Sequence, residues 1–194
     1  MSNNEKFIPL FEKAEALLTG HFLLTSGKHS NRYIQCAKVL QYPSMCVEIC
    51  QYLAEQIKDK ELDVIIAPAM GGILVGFEMG VQLNKKAIFT ERVNGKMELR
   101  RSFEIQPGDK VLIAEDVITT GGSVFEVMDL VKEKGGIVIG VVSLVDRSAG
   151  RIKFGVPFVS AISLDVITYE SDSCPLCAEG KTPAIKPGSR TLNS

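Results

Sequence analysis

Two adjacent carboxylates, Glu115 and Asp116, precede the run "VITTGGS" at positions 117–123. The end of that run has the residue types of an anion cradle. Thr119, Thr120 and Ser123 carry hydroxyl donors, and Gly121 and Gly122 allow backbone N–H groups to approach a bound oxyanion closely. A helical pattern follows, whose first turn would add free N–H groups and a positive dipole end. Val117 and Ile118 join the acids to the cradle. By itself a glycine-rich turn from strand to helix is also ordinary turn chemistry. It matches neither G-x-x-x-x-G-K-[ST] nor G-x-G-x-x-G. The acids add specificity, because a carboxylate accepts hydrogen bonds and a vicinal diol supplies two donors. A sugar with a 5′-phosphate would satisfy both halves, its phosphate in the cradle and its diol on Glu115 and Asp116.

The elements that must position these residues follow from periodicity. "DVIIAP" (63–68), "KVLIAED" (110–116) and "IVIGVVSLVD" (137–146) are short apolar runs suited to strands buried on both faces, and "KAIFT" (86–90) is another short strand. Between them, "ILVGFEMGVQL" (73–83) and "SVFEVMDLVKEKG" (123–135) have helical spacing, the second ended by Gly135. Upstream, "NEKFIPLFEKAEALL" (4–18) reads as a helix. Residues 21–36 read as two short strands around a polar turn, and 42–59 as a helix with Pro43 in its first turn. Residues 91–109 read as a polar excursion with weak strand character. The alternation predicts an α/β fold, an open and mostly parallel sheet flanked by helices. Ligands of such sheets bind at the carboxyl ends of the strands. Three loops lie there: "PAMGG" (68–72), "EDVITTGGS" (115–123) and "DRSAG" (146–150).

Composition narrows the function classes. The 194 residues suit one domain, and a formal net charge of −1 provides no global basic field for nucleic acid. No apolar run reaches the ~18 residues of a membrane span. The polar start "MSNNEKF" is unlike a signal peptide, so the cytoplasm is the expected location. Five cysteines, an odd number, argue against a disulfide framework. Cys46 and Cys50 share an apolar helical stripe and read as buried thiols. Cys174 and Cys177 form one C-x-x-C, half of a tetrahedral zinc site. Completion across a symmetric dimer, a redox pair, and free thiols in a tight turn all remain open.

The stretch 115–123 resembles the phosphoribosyl diphosphate (PRPP) signature of the type I phosphoribosyltransferases. The order of five segments from about His21 to Arg190 is similar to that of the orotate-using members: "FLLTSGKHSNRYIQC", "PAMGGI", "TERVNGKMELRR", the signature and "VDRSAG". The tail "CPLCAEGKTPAIKPGSR" resembles a compact subgroup. The resemblance implies a single domain over 1–194, with a small hood from about 1–42 and 165–194. It implies transfer of phosphoribose from PRPP to orotate. The PRPP residues would be 115–123 with Gly71 and Gly72; Thr119 and Arg147 would meet orotate. Arg92 and Lys96 on a mobile loop, with Asp116, would be catalytic. From the residues alone, Arg147 reads as a surface ion pair with Asp146. Mg²⁺ is implied, held mainly by PRPP, with no protein metal cage. A homodimer with shared sites is implied, and neither nucleic acid nor membrane as a partner. A PRPP-sensing regulator or an enzyme for another nucleobase is the alternative on the same fold.

Four positions depart from the family pattern by lacking a cationic or potentially cationic group: Thr25, Gly71, Val93 and Glu98. Lys28, Arg32, Arg100 and Arg101 are the candidates to compensate.

Overall fold

The computed structural model describes residues 3–24 and 26–187. Thr25 and the end of the basic "KPGSR" segment, including Arg190, lie outside the described residues. The chain begins with α1 (Asn3–Lys13), β1 (Leu17–Leu23), β2 (His29–Ile34), α2 (Ala37–Leu40) and α3 (Pro43–Glu55). It continues through β3 (Val64–Pro68), α4 (Gly71–Leu83), β4 (Lys86–Val93), β5 (Lys96–Leu99), β6 (Lys110–Ile118) and α5 (Gly122–Glu133). It ends with β7 (Ile137–Asp146), β8 (Phe158–Ser163), β9 (Thr168–Tyr169), a 3-10 turn (Ser171–Ser173) and α6 (Pro175–Glu179).

Strands order as β5-β4-β3-β6-β7-β8 in the main sheet. All pairs are parallel except β4 with β5. The expected sheet is therefore present, extended by two strands that periodicity did not single out. β8 is one of them, an apolar run that returns after a loop without an intervening helix. The other, β5, forms a hairpin with β4. Asn94 (φ 49) and Gly95 (φ 84) occupy its two-residue turn, as left-handed turns between twisted strands require. The segment read as a polar excursion with weak strand character thus opens with a regular ribbon.

Both faces of the sheet are covered, which is why its central strands are apolar throughout. Val64 through Pro68 are all buried. Successive side chains of β3 point to opposite faces. Ile65 joins a core with Phe7, Phe11, Ile49, Leu53 and Met79. Val64 and Ile66 join the other core, with Val124, Val127 and Val131 of α5 and Met97 of β5. α1, α3 and α4 thus cover one face, and α5 with the hairpin covers the other. The helix read over 4–18 stops at Lys13, because Glu15 turns left-handed at φ 52 and Leu17 already starts β1.

A second sheet, ordered β1-β2-β9, is antiparallel. The C-terminal segment crosses it: Leu23 N–H donates to the Ile185 carbonyl at 2.8 Å, and Ile185 N–H to the His21 carbonyl at 2.9 Å. This segment is less irregular than its Pro and Gly content suggests, since β9, the 3-10 turn and α6 all lie in it.

Candidate active site

β3, β6 and β7 end side by side. Parallel register pairs Ile66 with Ile113 and Ile118 with Asp146. Their three following loops therefore open at one edge of the sheet, as expected. Arg147 N–H donates to the Ile118 carbonyl at 2.8 Å, which clamps the third loop to the second.

The cradle forms as its residue types predict. Gly121 has φ 77, a left-handed backbone that a side chain would strain, and it caps the N-terminus of α5. Residues 117–124 and Glu115 line a small polar cavity of about 70 Å³. This space suits one small anionic group rather than a whole ligand. Thr119 and Thr120 are exposed at its rim. Gly122 differs from expectation: its φ is not positive, and a Cβ there would lie 3.7 Å from Thr120 Oγ1. It serves as the open first residue of α5. A larger cavity, about 570 Å³, is lined by Lys153, Phe154 and neighbours and by none of the candidate residues.

The acids do not present two equivalent charges. Glu115 is buried, and that burial, reinforced by the Asp116 charge, pushes its pKa up to about 9. At neutral pH it is a neutral acid that can donate a hydrogen bond. Its Oε1 accepts from the Asp116 N–H at 3.0 Å, and Asp116 Oδ1 accepts from the Val117 N–H at 2.8 Å. Protonation of Glu115 leaves less negative charge beside the anion cradle than the sequence implies. Cys36 lies beneath, its Sγ 3.5 Å from the Asp116 carbonyl. Burial, then the Asp116 charge, pushes the pKa of that thiol well up.

Gly71 has a specific reason to lack a side chain. A Cβ there would overlap Asp116 Oδ2. The Asp116 carboxylate leans across the start of α4 and occupies the space a lysine stem at this position would need. A Cβ at Gly72 would sit 3.1 Å from both the Ala114 carbonyl oxygen and Glu115 Oε1. The first loop is pressed against the acids, so its glycines admit the acids as well as exposing backbone amides.

Arg147 is half-buried, and its Nε is buried without a hydrogen-bond partner. Burial lowers its pKa from the ordinary value. The ion pair with Asp146 expected from the residues alone is not formed. Asp146 instead accepts from Ser148 N–H at 2.7 Å, Gly150 N–H at 2.8 Å and Ser163 Oγ at 3.3 Å. Among the described residues Arg147 has no ion pair. A guanidinium so placed is suited to pairing with an anion.

Arg92 and Lys96 lie on the β4–β5 hairpin. Arg92 forms a bidentate pair with Glu126 of α5, both contacts at 2.9 Å. Lys96 is exposed, with no ion pair among the described residues. Of the four compensating candidates, Lys28 pairs with Glu170 and Arg101 with Glu91. No ion pair is present for Arg32 or Arg100 among the described residues.

Residues 38–154 match the family model described as "Phosphoribosyl transferase domain". The chain belongs to the phosphoribosyltransferase family. Its curated relatives put it among the orotate phosphoribosyltransferases. A protein of that name from Desulforamulus reducens is 55% identical over 98% of this chain and 99% of its own length. Another from Caldicellulosiruptor saccharolyticus is 53% identical over the same shares. The crystal structure of orotate phosphoribosyltransferase from Aeropyrum pernix superimposes with a TM-score of 0.68 at 25% identity, covering 80% of this chain and 92% of that one.

Proposed function

We propose that this enzyme transfers the 5-phosphoribosyl group of PRPP to orotate, releasing diphosphate and forming orotidine 5′-monophosphate in pyrimidine biosynthesis. The observation that carries the choice of base is Arg147. A half-buried guanidinium without an ion pair, fixed beside the cradle, is suited to a base that bears a carboxylate, which orotate does. Full-length kinship to orotate phosphoribosyltransferases supports the same reading.

In this reading the 5′-phosphate enters the 119–123 cradle, held by its hydroxyls, backbone amides and the start of α5. Glu115 and Asp116 take the ribose hydroxyls, Glu115 as donor and Asp116 as acceptor. The bond from ribose C1′ to diphosphate breaks with its electrons leaving on diphosphate, and a ring nitrogen of orotate closes on C1′ as its proton passes to the departing diphosphate or to solvent. Positive character grows on the ribose meanwhile, and the Asp116 carboxylate faces it. Thr119 and Arg147 orient orotate. Lys96 and Arg92 would meet the departing diphosphate when the hairpin closes, which also excludes water. The carboxylate of Asp116 above Gly71 fits a hard, oxygen-seeking cation. Mg²⁺, held chiefly by PRPP oxygens, would neutralise diphosphate charge.

Shared sites in a homodimer are part of this proposal. Met70, Leu74, Phe77 and Val81 form an apolar stripe along α4, exposed at 83%, 52%, 65% and 57%. The stripe starts beside Gly71, so a second copy packed on it would hold two mouths close together. Among the described residues no helix is long and apolar enough to cross a membrane, and the cytoplasm is the proposed location.

The test is the ultraviolet absorbance of orotate, expected to change only with PRPP and Mg²⁺ together. Lys96→Ala should lower kcat by on the order of 10²-fold. Turnover of a purine base with none of orotate would refute the base assignment, and an unimpaired Lys96→Ala enzyme would refute the role of the hairpin.

A further inference from the structure

The chain has only two histidines, and the fold brings both to the C-x-x-C of the tail. His21 lies on β1, His29 on β2, Cys174 caps α6 and Cys177 lies within it. One ligand atom from each falls within 4.8 Å of the others. His21 Nε2 is 3.7 Å from Cys174 Sγ and 3.6 Å from Cys177 Sγ, and Cys177 Sγ is 3.2 Å from His29 Nδ1. Zinc bonds of about 2.3 Å to sulfur and 2.0–2.1 Å to nitrogen, at tetrahedral angles, place S and N ligands about 3.5 Å apart. The observed S···N separations bracket that value. His21 Nε2 and His29 Nδ1 are 2.8 Å apart, so a metal between them would part the rings by about half an ångström.

Two further features suit a metal. His21 Nδ1 lies 2.9 Å from the Thr182 carbonyl. A carbonyl can only accept, so Nδ1 carries the proton and Nε2 turns its lone pair inward, the outer contact that metal-binding histidines commonly make. His21, His29 and Cys174 are buried while Cys177 is exposed, which leaves an entry path on one side. All five cysteines are free thiols.

We propose that His21, His29, Cys174 and Cys177 form a structural zinc site within a single chain. The completion of a C-x-x-C half-site by a partner chain is then unnecessary, because the hairpin of the same chain supplies the other half. Two thiolates and two imidazoles are the soft and borderline donors that favour Zn²⁺ over Mg²⁺ or Ca²⁺. Binding releases two thiol protons to solvent, forms two Zn–S and two Zn–N bonds, and leaves a neutral, closed site with no open position for substrate. It would staple the tail to β1 and β2, adding to the short β9 pairing, the contacts of Ile185, the Ser30–Ile167 hydrogen bond and the Lys28–Glu170 pair. The proposal does not depend on the reading of orotate chemistry.

The decisive measurement is elemental analysis of the full chain, purified from zinc-supplemented culture and dialysed. About one zinc per chain is expected. Cys177→Ser should lose it, and Cys46→Ala, which alters a thiol elsewhere, should keep it. Cobalt in place of zinc should give the intense visible bands of a tetrahedral site and a thiolate charge-transfer band. Should Cys177→Ser fail to fold, alkylation of the wild type decides: Cys177 should react only after a chelator is added. Zinc-free protein with no cobalt spectrum, half a zinc per chain, a Cys174–Cys177 disulfide in place of metal, or a Cys177→Ser protein that retains zinc would each overturn the proposal.

Discussion

Glu115 shows how a single residue can change the meaning of a motif. In the sequence it is one of two adjacent acids; in the fold it is a buried, protonated group with a pKa of about 9. Its unfolded counterpart titrates in the ordinary carboxylate range, so the native state holds an extra proton at all pH values between that range and about 9. Stability from this residue is full below the ordinary range and declines as pH rises through the window. Glu115→Gln keeps a neutral donor and removes the proton. Thermal melts from pH 6 to 9 should show a smaller fall in Tm for Glu115→Gln than for the wild type; equal slopes would refute the assignment. The acid pair was legible as a site in the sequence, but its protonation was not. That depends on burial against the loop that follows β3, which is distant along the chain. The same holds for Arg147, whose neighbour Asp146 suggested an ion pair until the fold turned that carboxylate onto its own loop.

Among the elements, the β4–β5 hairpin departs most from its sequence reading. Its charged residues concealed a regular ribbon, although Asn94-Gly95 is a strong turn signal. Its orientation is set by Met97 in the core below α5 and by the Arg92–Glu126 pair above it. Arg92 must leave Glu126 to reach a diphosphate, and both side chains are 42% exposed. A pair so exposed contributes at most about 1 kcal/mol. Glu126→Ala should therefore shift Tm little and leave kcat within about twofold, while Arg92→Ala should lower kcat/KM for PRPP at least tenfold. Steady-state kinetics and a melt on both variants would check this; equal losses would mean that the pair, rather than free Arg92, is what activity requires.

At the scale of the whole molecule, the exposed stripe on α4 is the surface on which a second copy would pack. If the mouth of one copy receives the hairpin of another, two inactive variants can complement. Mixing Lys96→Ala with Arg147→Ala should regenerate activity that neither has alone. Phe77→Asp should abolish both the dimer in sedimentation and the complementation. A Phe77→Asp monomer with full activity would show that each chain completes its own site.

The local rules were sufficient for part of this protein. Apolar runs, Gly135 and Pro43 determined β3, β4, β6 and β7, the start of α3 and the end of α5, because strand burial and these helix ends are settled by residues close in sequence. "TTGGS" after a buried strand determined the cradle for the same reason. Only the tertiary structure decided that Gly71 makes room for Asp116, that Arg147 has no ion pair among the described residues, and that both histidines meet the cysteines of the tail. Those outcomes rest on contacts between residues tens of positions apart or more. No local period records them, and burial rather than residue type sets their charge and their ligands.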